Sequence, residues 1–448
     1  VHALINWFLL NFRSLRVGSV IVSERNDILC LIKKIIIIVS AILKKANVVV
    51  IGGGIFGCSI AYYYTRNHPG KKIIVIERNE ICNAATSRAA ALMTIVRSKH
   101  SYIPLALETY QAVTQMEKQL GESLGIKKAG MMHVAASDGS VKELEQLMHT
   151  AQQFHQPYNY LSHEAAQRMC PWLKADEALR IGFLPEEAYC DPYLLGTFFA
   201  QCAKQQGADI MQGCAVTELI YNAGAVQGVK TSLGTIEADV VIDAAGAWAP
   251  IWAMCTATGI PMAPVRSQYW ITDKAGIFPA DGPMVLLPDA QAYARPEGGA
   301  LLFGIREQKS LYASPDKIPD DISHFVFSED RGMNDLAENA ERLARFFPAF
   351  YETGIKYYVA GFSGYTPDGQ LVMGKVPGVD NFLLASGCCG AGIAVSGGVG
   401  LALAELAAGN EPVFDLSAFN VERFGKIDPF STSWLVKCAM ARSMKRSG

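Results

Sequence analysis

The chain has 448 residues, half of them hydrophobic and 18% charged, a globular composition with room for two domains or one composite domain. Its 40 basic and 42 acidic residues give a net charge of −2, so no overall field attracts nucleic acid or an acidic membrane, and a small, nearly neutral partner is expected. Eleven cysteines without a C-x-x-C pair, and eight histidines without ligand spacing, predict reduced thiols in a cytoplasmic protein and no metal site.

The first 45 residues differ from the rest of the chain. They are apolar and basic, and the apolar run 35–43 is far shorter than the roughly 20 residues that span a bilayer. They could form a signal peptide or an interfacial anchor with weak membrane association, but no small-residue cleavage site follows. Because the first methionine is Met93, we favour the hypothesis that residues 1–45 are an extension and that the native chain begins near Leu43. N-terminal peptides from before Lys44 would contradict it.

Residues 46–78, ANVVVIGGGIFGCSIAYYYTRNHPGKKIIVIER, predict one βαβ unit with strands at 47–51 and 73–76 and a helix from Ile55 to about Arg66. G-x-G-x-x-G supplies a tight turn, close backbone approach to a pyrophosphate and close helix packing, and the helix N-terminus favours that anion. An acid after the second strand accepts hydrogen bonds from a ribose hydroxyl and disfavours NADP. The predicted dinucleotide-binding residues are Gly52, Gly54, Ile55, Phe56, Gly57, Glu77 and Arg78. NAD and FAD both remain open, as does a glycine turn needed only for packing.

Small residues crowd between Ala84 and Ala91, around Thr86 and Ser87. Such residues would let the backbone pass close to a second phosphate or a ring system. A helix capped at Thr86 or Ser87 and continued by alanines is the alternative, and on these residues alone it is the better prediction.

Five blocks of the sequence occur in a specific order. They are the βαβ unit, ATSRAAA at 85–91, VVIDAAGAWAP at 240–250, TPDGQLVMG at 366–374 and ASGCCGAGIAVSGGVGLALAEL at 385–406. In this order they resemble the FAD-dependent amino-acid and amine oxidoreductases of the D-amino-acid oxidase, glycine oxidase and sarcosine oxidase type, from Ala46 to about Phe424. The resemblance implies an α/β fold in which a Rossmann-type FAD-binding domain, glutathione-reductase-like, is interleaved with an antiparallel-sheet substrate domain.

The same resemblance implies FAD as the cofactor. The late glycine-rich turn, for which metal, disulfide and helix-packing roles are also open, would meet the flavin, and a helix from Ile393 onward would point its positive end at the pyrimidine edge. By resemblance the further FAD contacts are Thr86, Ser87, Val216, Gly246, Gly387, Gly390, Gly392 and Ile393. Cys389 and Ala391 stand where relatives usually have Ser and His, so no role of that His is transferred. FAD should be non-covalent, because Gly361 stands at the sarcosine-oxidase attachment position and 84–91 has no His.

The chain between the blocks predicts interleaved domains. The FAD-binding domain is assigned to 46–130, 187–261 and 351–425, and the substrate domain to 131–186 and 262–350. Residues 426–448 form a basic tail that is predicted to be solvated.

Candidate substrate residues follow from the resemblance and from the chemistry of carboxylate binding. A substrate carboxylate calls for an arginine, and Arg97 is the first candidate, with a surface position as its alternative. Tyr293 and Arg295 are two residues apart on a predicted strand, so they share one face and both could face the flavin. The alternative is that Arg295 pairs with Glu297 or Glu307 at the rim. Tyr365 is the fourth candidate, as a wall of the pocket.

The predicted reaction is oxidation of the C–N bond of a small amino acid or N-methylated amine, glycine- or sarcosine-like. Hydride would pass to flavin N5, and water would hydrolyse the imine. Leu302 stands where related oxidases keep a Lys that promotes reaction with oxygen, which favours a dehydrogenase using a quinone or an electron-transfer partner. Two alternatives remain: a 2-hydroxy-acid dehydrogenase, and a flavin-binding subunit that docks a partner on the apolar segment 427–440.

Overall fold

The computed structural model of the chain describes residues 15–17, 20–22, 44–255 and 259–445. Most of the predicted N-terminal extension, including the apolar run 35–43, lies outside these residues.

The strands and helices of the described residues have the following bounds. The strands are β1 Leu15–Val17, β2 Val20–Val22, β3 Lys44–Ile51, β4 Ile73–Ile76, β5 Leu92–Met93, β6 Met131–Ala135, β7 Asn159–Leu161, β8 Arg180–Leu184, β9 Ala188–Tyr189, β10 Asp209–Met211, β11 Val216–Asn222, β12 Ala225–Thr231, β13 Gly234–Asp243, β14 Ala263–Thr272, β15 Met284–Leu287, β16 Ala292–Glu297, β17 Ala300–Ile305, β18 Ile355–Tyr365, β19 Val372–Lys375 and β20 Phe382–Ser386. The α-helices are α1 Ile55–Asn67, α2 Tyr102–Leu120, α3 Asp138–Gln153, α4 His163–Met169, α5 Pro192–Gln205, α6 Met333–Phe346, α7 Ser396–Ala407 and α8 Thr432–Ser443.

One sheet has a parallel core in the order β10-β4-β3-β13, and the last residues of β13 also pair in parallel with β20. Residues 48–51 and 73–76 are buried, as expected for strands covered on both faces. Helices α1, α2, α5 and α7 pack together on one side of this sheet in a single apolar core. The predicted Rossmann-type βαβ unit is confirmed, and it brings the carboxyl ends of β3, β4 and β13 to one edge.

A second sheet has the order β18-β14-β17-β16-β15-β6-β8-β7. Its neighbours are antiparallel except for β15 and β6, which run in parallel. The α/β class with two interleaved sheets is therefore confirmed. One predicted boundary is wrong: residues 351–365 were given to the FAD-binding domain, but β18 pairs with β14 from Ala263 to Thr272 and completes the second sheet.

The predicted solvated C-terminal tail is also wrong. Residues 432–443 form α8, which packs its apolar face against β14 and β18. Trp434, Leu435 and Cys438 are all buried there, so this face of the proposed partner-docking segment is an internal contact, while Val436 and Met440 remain exposed. The basic composition misled the prediction because Arg442, which looks like a surface residue, is 1% exposed and neutralised inside the protein.

Two further observations concern the described residues as a whole. None of their helices combines the length and the apolar character needed to cross a bilayer. The nine cysteines whose side chains are described are all free thiols, eight of them buried, and no group of three potential metal ligands is found within these ranges.

Candidate active site

The turn between β3 and α1 has the geometry that the three glycines predict. Gly52 has φ +101°, and a Cβ there would lie 2.6 Å from the carbonyl oxygen of Ala244, directly after β13. A Cβ on Gly57 would lie 1.9 Å from the Gly52 carbonyl oxygen, so α1 touches the turn too closely for any side chain. Gly54 precedes the first helical residue, which leaves the N-terminal amides of α1 at the open edge of the sheet.

Glu77 stands directly after β4, beside the glycine turn. Its carboxylate accepts hydrogen bonds from the backbone N–H of Gly53 at 2.8 Å and of Asn79 at 2.9 Å. Each carboxylate oxygen keeps a lone pair for a further donor, such as a ribose hydroxyl. Arg78 forms an ion pair with Asp320, and its guanidinium lies over the Trp248 ring at 4.6 Å.

The small-residue segment forms turns from Ile81 to Arg88, so the helix preferred from these residues alone is absent. The Thr86 hydroxyl accepts the backbone N–H of Ile55 at 3.0 Å, across 31 residues, and thereby caps α1 from outside. Ser87 stays local and donates to the carbonyl of Ala84. Thr86 therefore makes its capping bond to a distant helix, a tertiary contact that local helix propensity does not take into account.

The late glycine-rich stretch serves two purposes. Its first half is a loop in which Gly387 and Gly390 have φ +60° and +75°, and a Cβ at Gly390 would lie 2.9 Å from the Tyr365 hydroxyl. Helix α7 begins at Ser396, three residues later than predicted, because 392–395 form a preceding turn. The second half of the glycine-rich stretch allows close helix packing, since a Cβ at Gly400 would lie 2.0 Å from the Ser59 hydroxyl oxygen on α1.

Two adjoining cavities open at this loop. The first cavity, of about 150 Å³, brings together eight of the predicted residues, and the second, of about 970 Å³, extends from it towards α3. The predicted residues that line the first cavity are Ile55, Thr86, Arg97, Tyr293, Tyr365, Gly390, Gly392 and Ile393. Arg97, Leu286, Tyr365 and Lys445 line both cavities and form their boundary.

Arg97 is buried rather than on the surface. It follows β5, and its Nε donates to the carbonyl of Thr94 at 3.0 Å. The same loop is held by Glu187, whose carboxylate accepts the backbone N–H of Ile95 and of Val96. Burial lowers the pKa of Arg97, opposed by the Glu187 charge, and burial raises the pKa of Glu187 to about 7. Sequence reasoning missed Glu187, a positioning residue 90 residues away from Arg97, because no local motif surrounds it.

Tyr293 and Arg295 do not line the same cavity, although they lie two residues apart on β16. Tyr293 lines the first cavity, and Arg306 lies over its ring at 5.4 Å. Arg295 forms an ion pair with Glu297, donates to the Ala90 carbonyl at 2.7 Å and lies outside the lining of both cavities. The rim pairing that the sequence left open is the arrangement found.

Tyr365 and Lys445 meet where the loop, β18 and α8 converge. Tyr365 is 2% exposed, and burial raises the pKa of its hydroxyl to about 12. The Lys445 ammonium donates to the Cys389 carbonyl at 3.0 Å. No pattern in the sequence pointed to Lys445, because its approach depends on the path of α8. Leu302 is buried within the second sheet and lies outside the lining of the first cavity, whereas the Lys445 side chain lines it; burial lowers the pKa of Lys445 well below its usual value.

The remaining predicted contacts lie along the edge of the parallel sheet. Gly246 has φ +58° with open space at its Cβ position, and its carbonyl accepts the Ser386 hydroxyl at 3.2 Å. Val216 begins β11, and Phe56 is buried in α1. His133 lines the second cavity, and its Nε2 has no hydrogen-bond partner among the described residues; burial lowers its pKa to about 4, so the ring is neutral.

These residues fit an extended dinucleotide. Amides at the N-terminus of α1, a side-chain-free turn against β13 and a carboxylate after β4 suit the nucleotide half. The loop at Gly390 and Gly392 lines a cavity with backbone rather than with side chains, and such a surface suits a flat ring.

Comparison with known proteins agrees with this geometry. A family model described as "FAD dependent oxidoreductase" matches residues 47–406, which confirms the resemblance of the five blocks. Mitochondrial sarcosine dehydrogenase of Mus musculus is 26% identical over 389 residues, 85% of this chain and 42% of that protein. Mitochondrial dimethylglycine dehydrogenase of Homo sapiens is 27% identical over 382 residues, 83% of this chain and 44% of that protein. The chain thus spans less than half the length of these relatives.

Among solved structures, L-proline dehydrogenase from P. horikoshii superposes with a TM-score of 0.75 at 24% identity. The superposition covers 86% of this chain and 100% of that one, and it establishes likeness of fold alone.

Proposed function

Because the chain belongs to the FAD dependent oxidoreductase family, we propose that it oxidises the C–N bond of a small N-methylated amino acid of the glycine or sarcosine type. The observation that carries this proposal is the buried guanidinium of Arg97, which lines the cavity beside the Gly390 loop and suits a substrate carboxylate. The names of the relatives, sarcosine and dimethylglycine dehydrogenase, support the substrate class.

FAD would be held by Gly52, Gly54, Gly57 and Glu77 at its nucleotide end and by the Gly390 and Gly392 loop at its ring. When bound, FAD supplies the acceptor for the hydride that leaves the carbon next to nitrogen. Arg97 would bind and orient the substrate carboxylate, and Tyr293 and Tyr365 would form the walls that exclude water from the reacting carbon.

The test is anaerobic bleaching of the flavin absorbance of the purified protein. Glycine, sarcosine, dimethylglycine, proline, D-amino acids and 2-hydroxy acids are added in turn. Bleaching by N-methylated amino acids is expected. Bleaching by 2-hydroxy acids alone would establish the alternative alcohol chemistry, and no bleaching by any of them would leave the partner-dependent subunit.

Arg97 has its own test in the same assay. Arg97→Met should raise the substrate concentration for half-maximal bleaching at least about tenfold, and Arg97→Lys should lie between, because an ammonium replaces the bidentate fork with a point charge. An unchanged concentration dependence in Arg97→Met would remove Arg97 from the substrate site.

We also propose that FAD is bound without a covalent link. Gly361 lines the first cavity without a thiol, and no imidazole lies in 84–91. Acid precipitation should leave yellow flavin in the supernatant. Cys388 is the thiol of this cavity, so flavin retained in the pellet of the parent protein but released from Cys388→Ser would overturn the proposal.

The acceptor and the location are likewise proposals. Although the Lys445 amine in the cavity lining weakens the argument drawn from Leu302, a quinone or an electron-transfer protein is supported as the acceptor by the dehydrogenase names of the relatives. Reoxidation of the bleached flavin should therefore be slower in air than with a soluble quinone.

Free, mostly buried thiols support a cytoplasmic location, and recovery of the protein in the mitochondrial fraction would contradict it.

A further inference from the structure

One face of the second sheet lines both cavities. His133 on β6 is in register with Leu286 on β15, and Leu286 is in register with Tyr293 on β16. Side chains in register on neighbouring strands share a face of the sheet, and here Tyr293 lines the first cavity, Leu286 lines both and His133 lines the second. His133 therefore lies one strand, roughly 4.8 Å, beyond the boundary residue Leu286.

FAD, held as proposed, leaves the second cavity open. Gly390 and Gly392 line the first cavity, and the second cavity is lined by none of the residues that would hold the cofactor: Gly52, Gly54, Gly57, Glu77, Gly390 and Gly392. With the flavin ring at the Gly390 loop, the reacting carbon of a substrate lies at the boundary of the two cavities, beside Leu286 and Tyr365. The remainder of the substrate then extends into the second cavity.

The second cavity is far larger than a substrate of the glycine or sarcosine type requires. Its volume is about 970 Å³, whereas sites that enclose a drug-sized ligand typically have roughly 300–1,000 Å³. The space beyond the boundary therefore suits a substrate with a long additional group.

The wall next to His133 is apolar. Ala135 lies two residues further along β6, and Leu286 is in register on β15. On the other side, Gly182 of β8 is in register with His133, and a Cβ at Gly182 would lie 2.7 Å from the Leu144 side chain of α3. An uncharged group is favoured here, because a charged group would be desolvated without a partner.

His133 is the polar group of this wall. It is 7% exposed, and among the described residues that line the cavity its Nε2 is the one buried side-chain nitrogen or oxygen without a hydrogen-bond partner. Two other histidines of the lining have partners: His100 contacts the Thr150 hydroxyl at 3.2 Å, and His149 contacts the Gln153 amide at 3.1 Å. Burial lowers the pKa of His133 to about 4, so its neutral ring offers one N–H and one lone pair. Because an unsatisfied buried polar group is costly, a ligand that bonds to His133 is favoured.

We propose that the substrate carries an uncharged arm that extends through the second cavity and ends in a hydroxyl or carboxamide group bound by His133. The chemical class is an N-methylated amino acid whose arm, on the α-carbon or on the nitrogen, has an apolar body and one neutral hydrogen-bonding group. Such a group both donates and accepts, as a neutral imidazole does. This inference rests on the proposed amine oxidation and extends its substrate class beyond glycine and sarcosine.

The test uses two ligands that lack an amine to oxidise. Para-hydroxyphenylpropionate and para-fluorophenylpropionate have the same charge and nearly the same shape, and they differ only in hydroxyl against fluorine. Each is titrated into the FAD-loaded protein, with binding followed by calorimetry. The hydroxyl ligand should bind about three- to tenfold more tightly, the effect of one hydrogen bond. Equal affinities, or tighter binding of the fluoro ligand, would overturn the proposal without any variant.

Variants test whether His133 is the partner of the hydroxyl group. His133→Leu should abolish the preference and leave the affinity for the fluoro ligand within about twofold, while His133→Gln, which keeps an N–H and a carbonyl oxygen, should retain part of it. His149→Leu, at an exposed histidine that lines the same cavity, is the matched control and should keep the full preference. A preference that is lost in His149→Leu and kept in His133→Leu would overturn the assignment of His133.

Competition tests whether the arm belongs to the substrate. In the bleaching assay, the hydroxyl ligand should raise the amine concentration for half-maximal bleaching in proportion to its own occupancy. Binding of this ligand without any effect on bleaching would place the arm outside the substrate site and overturn the proposal. Because neither ligand is oxidised, a hydroxyl preference in a protein that no amine bleaches would instead remove the proposed oxidation and keep the His133 binding site.

Discussion

Single residues of this chain act through burial as much as through position. Arg97 and Glu187 are both enclosed, and the backbone bonds of Glu187 hold the loop that presents Arg97. Asp243 at the end of β13 is a second enclosed acid. Its Oδ1 accepts the Ala245 N–H at 3.0 Å, and its buried Oδ2 has no hydrogen-bond partner in the part of the chain that the structure describes. Burial raises the pKa of Asp243 to about 8, so the protonated form is favoured at neutral pH.

Asp243→Asn should alter how stability depends on pH. With a raised pKa in the folded state, the carboxyl contributes stability that is complete below about pH 4 and is lost as pH rises to about 8, at up to about 1.4 kcal/mol per pH unit. The asparagine does not titrate. The free energy of unfolding of the variant should therefore rise relative to that of the parent protein as pH increases over that range. Urea unfolding at pH 5 and pH 8 measures the change, with exposed Asp176→Asn as control. An equal difference in the free energy of unfolding between variant and parent protein at both pH values would contradict the assignment of a protonated carboxyl to Asp243.

Elements of this fold are brought together by residues that lack side chains. Helix α7 contacts α2 at Gly397 and Gly398, and it contacts α1 at Gly400. The Ser59 hydroxyl on α1 also donates to the Ser396 carbonyl at 2.7 Å. Close packing of α7 on α1 therefore connects the late glycine-rich stretch to the dinucleotide turn.

Gly400→Ala should separate these two helices. Alanine alone would favour a helix by about 1 kcal/mol over glycine, but its Cβ would overlap the Ser59 hydroxyl, so we expect a net loss of about 1–3 kcal/mol in the free energy of unfolding. Weaker FAD binding should accompany it. Denaturant unfolding and FAD titration measure both effects.

Two further variants isolate the overlap as the cause. Gly276→Ala, at an exposed glycine with open space and ordinary φ, should change stability by less than about 0.5 kcal/mol. Ser59→Gly should restore part of the loss in Gly400→Ala. Equal stability of Gly400→Ala and the parent protein would show that the helices can move apart freely.

At the scale of the molecule, α8 joins the C-terminal segment to the second sheet. Glu307, 1% exposed, forms ion pairs with Arg442 of α8 and with Arg266 of β14. Asp335 pairs with Arg266 from α6. This network, in which Glu307, Arg442 and Arg266 are buried and Asp335 is partly buried, thus supports the wall of both cavities.

Glu307→Gln should cost about 3–5 kcal/mol in the free energy of unfolding, because it leaves two buried guanidiniums with less compensation. Glu218→Gln, which breaks the exposed pair with Lys230, is the control and should cost less than about 1 kcal/mol. Urea unfolding measures both, and trypsin cleavage at Lys426 should become faster in Glu307→Gln alone. Similar small losses in the two variants would contradict the anchoring role of Glu307.

The local patterns of the sequence determined the βαβ unit, the bounds of β4, the glycine turn and the family, because each depends on neighbouring residues and on backbone conformation. The tertiary structure decided the rest. Thr86 caps α1 across 31 residues instead of starting a helix, and Arg295 turns to Glu297 while Tyr293 enters the cavity. Lys445 and Glu187 join the site through α8 and through the turn after β8. Such contacts connect segments far apart in the chain, and their burial and charge compensation exist only once both sheets have formed.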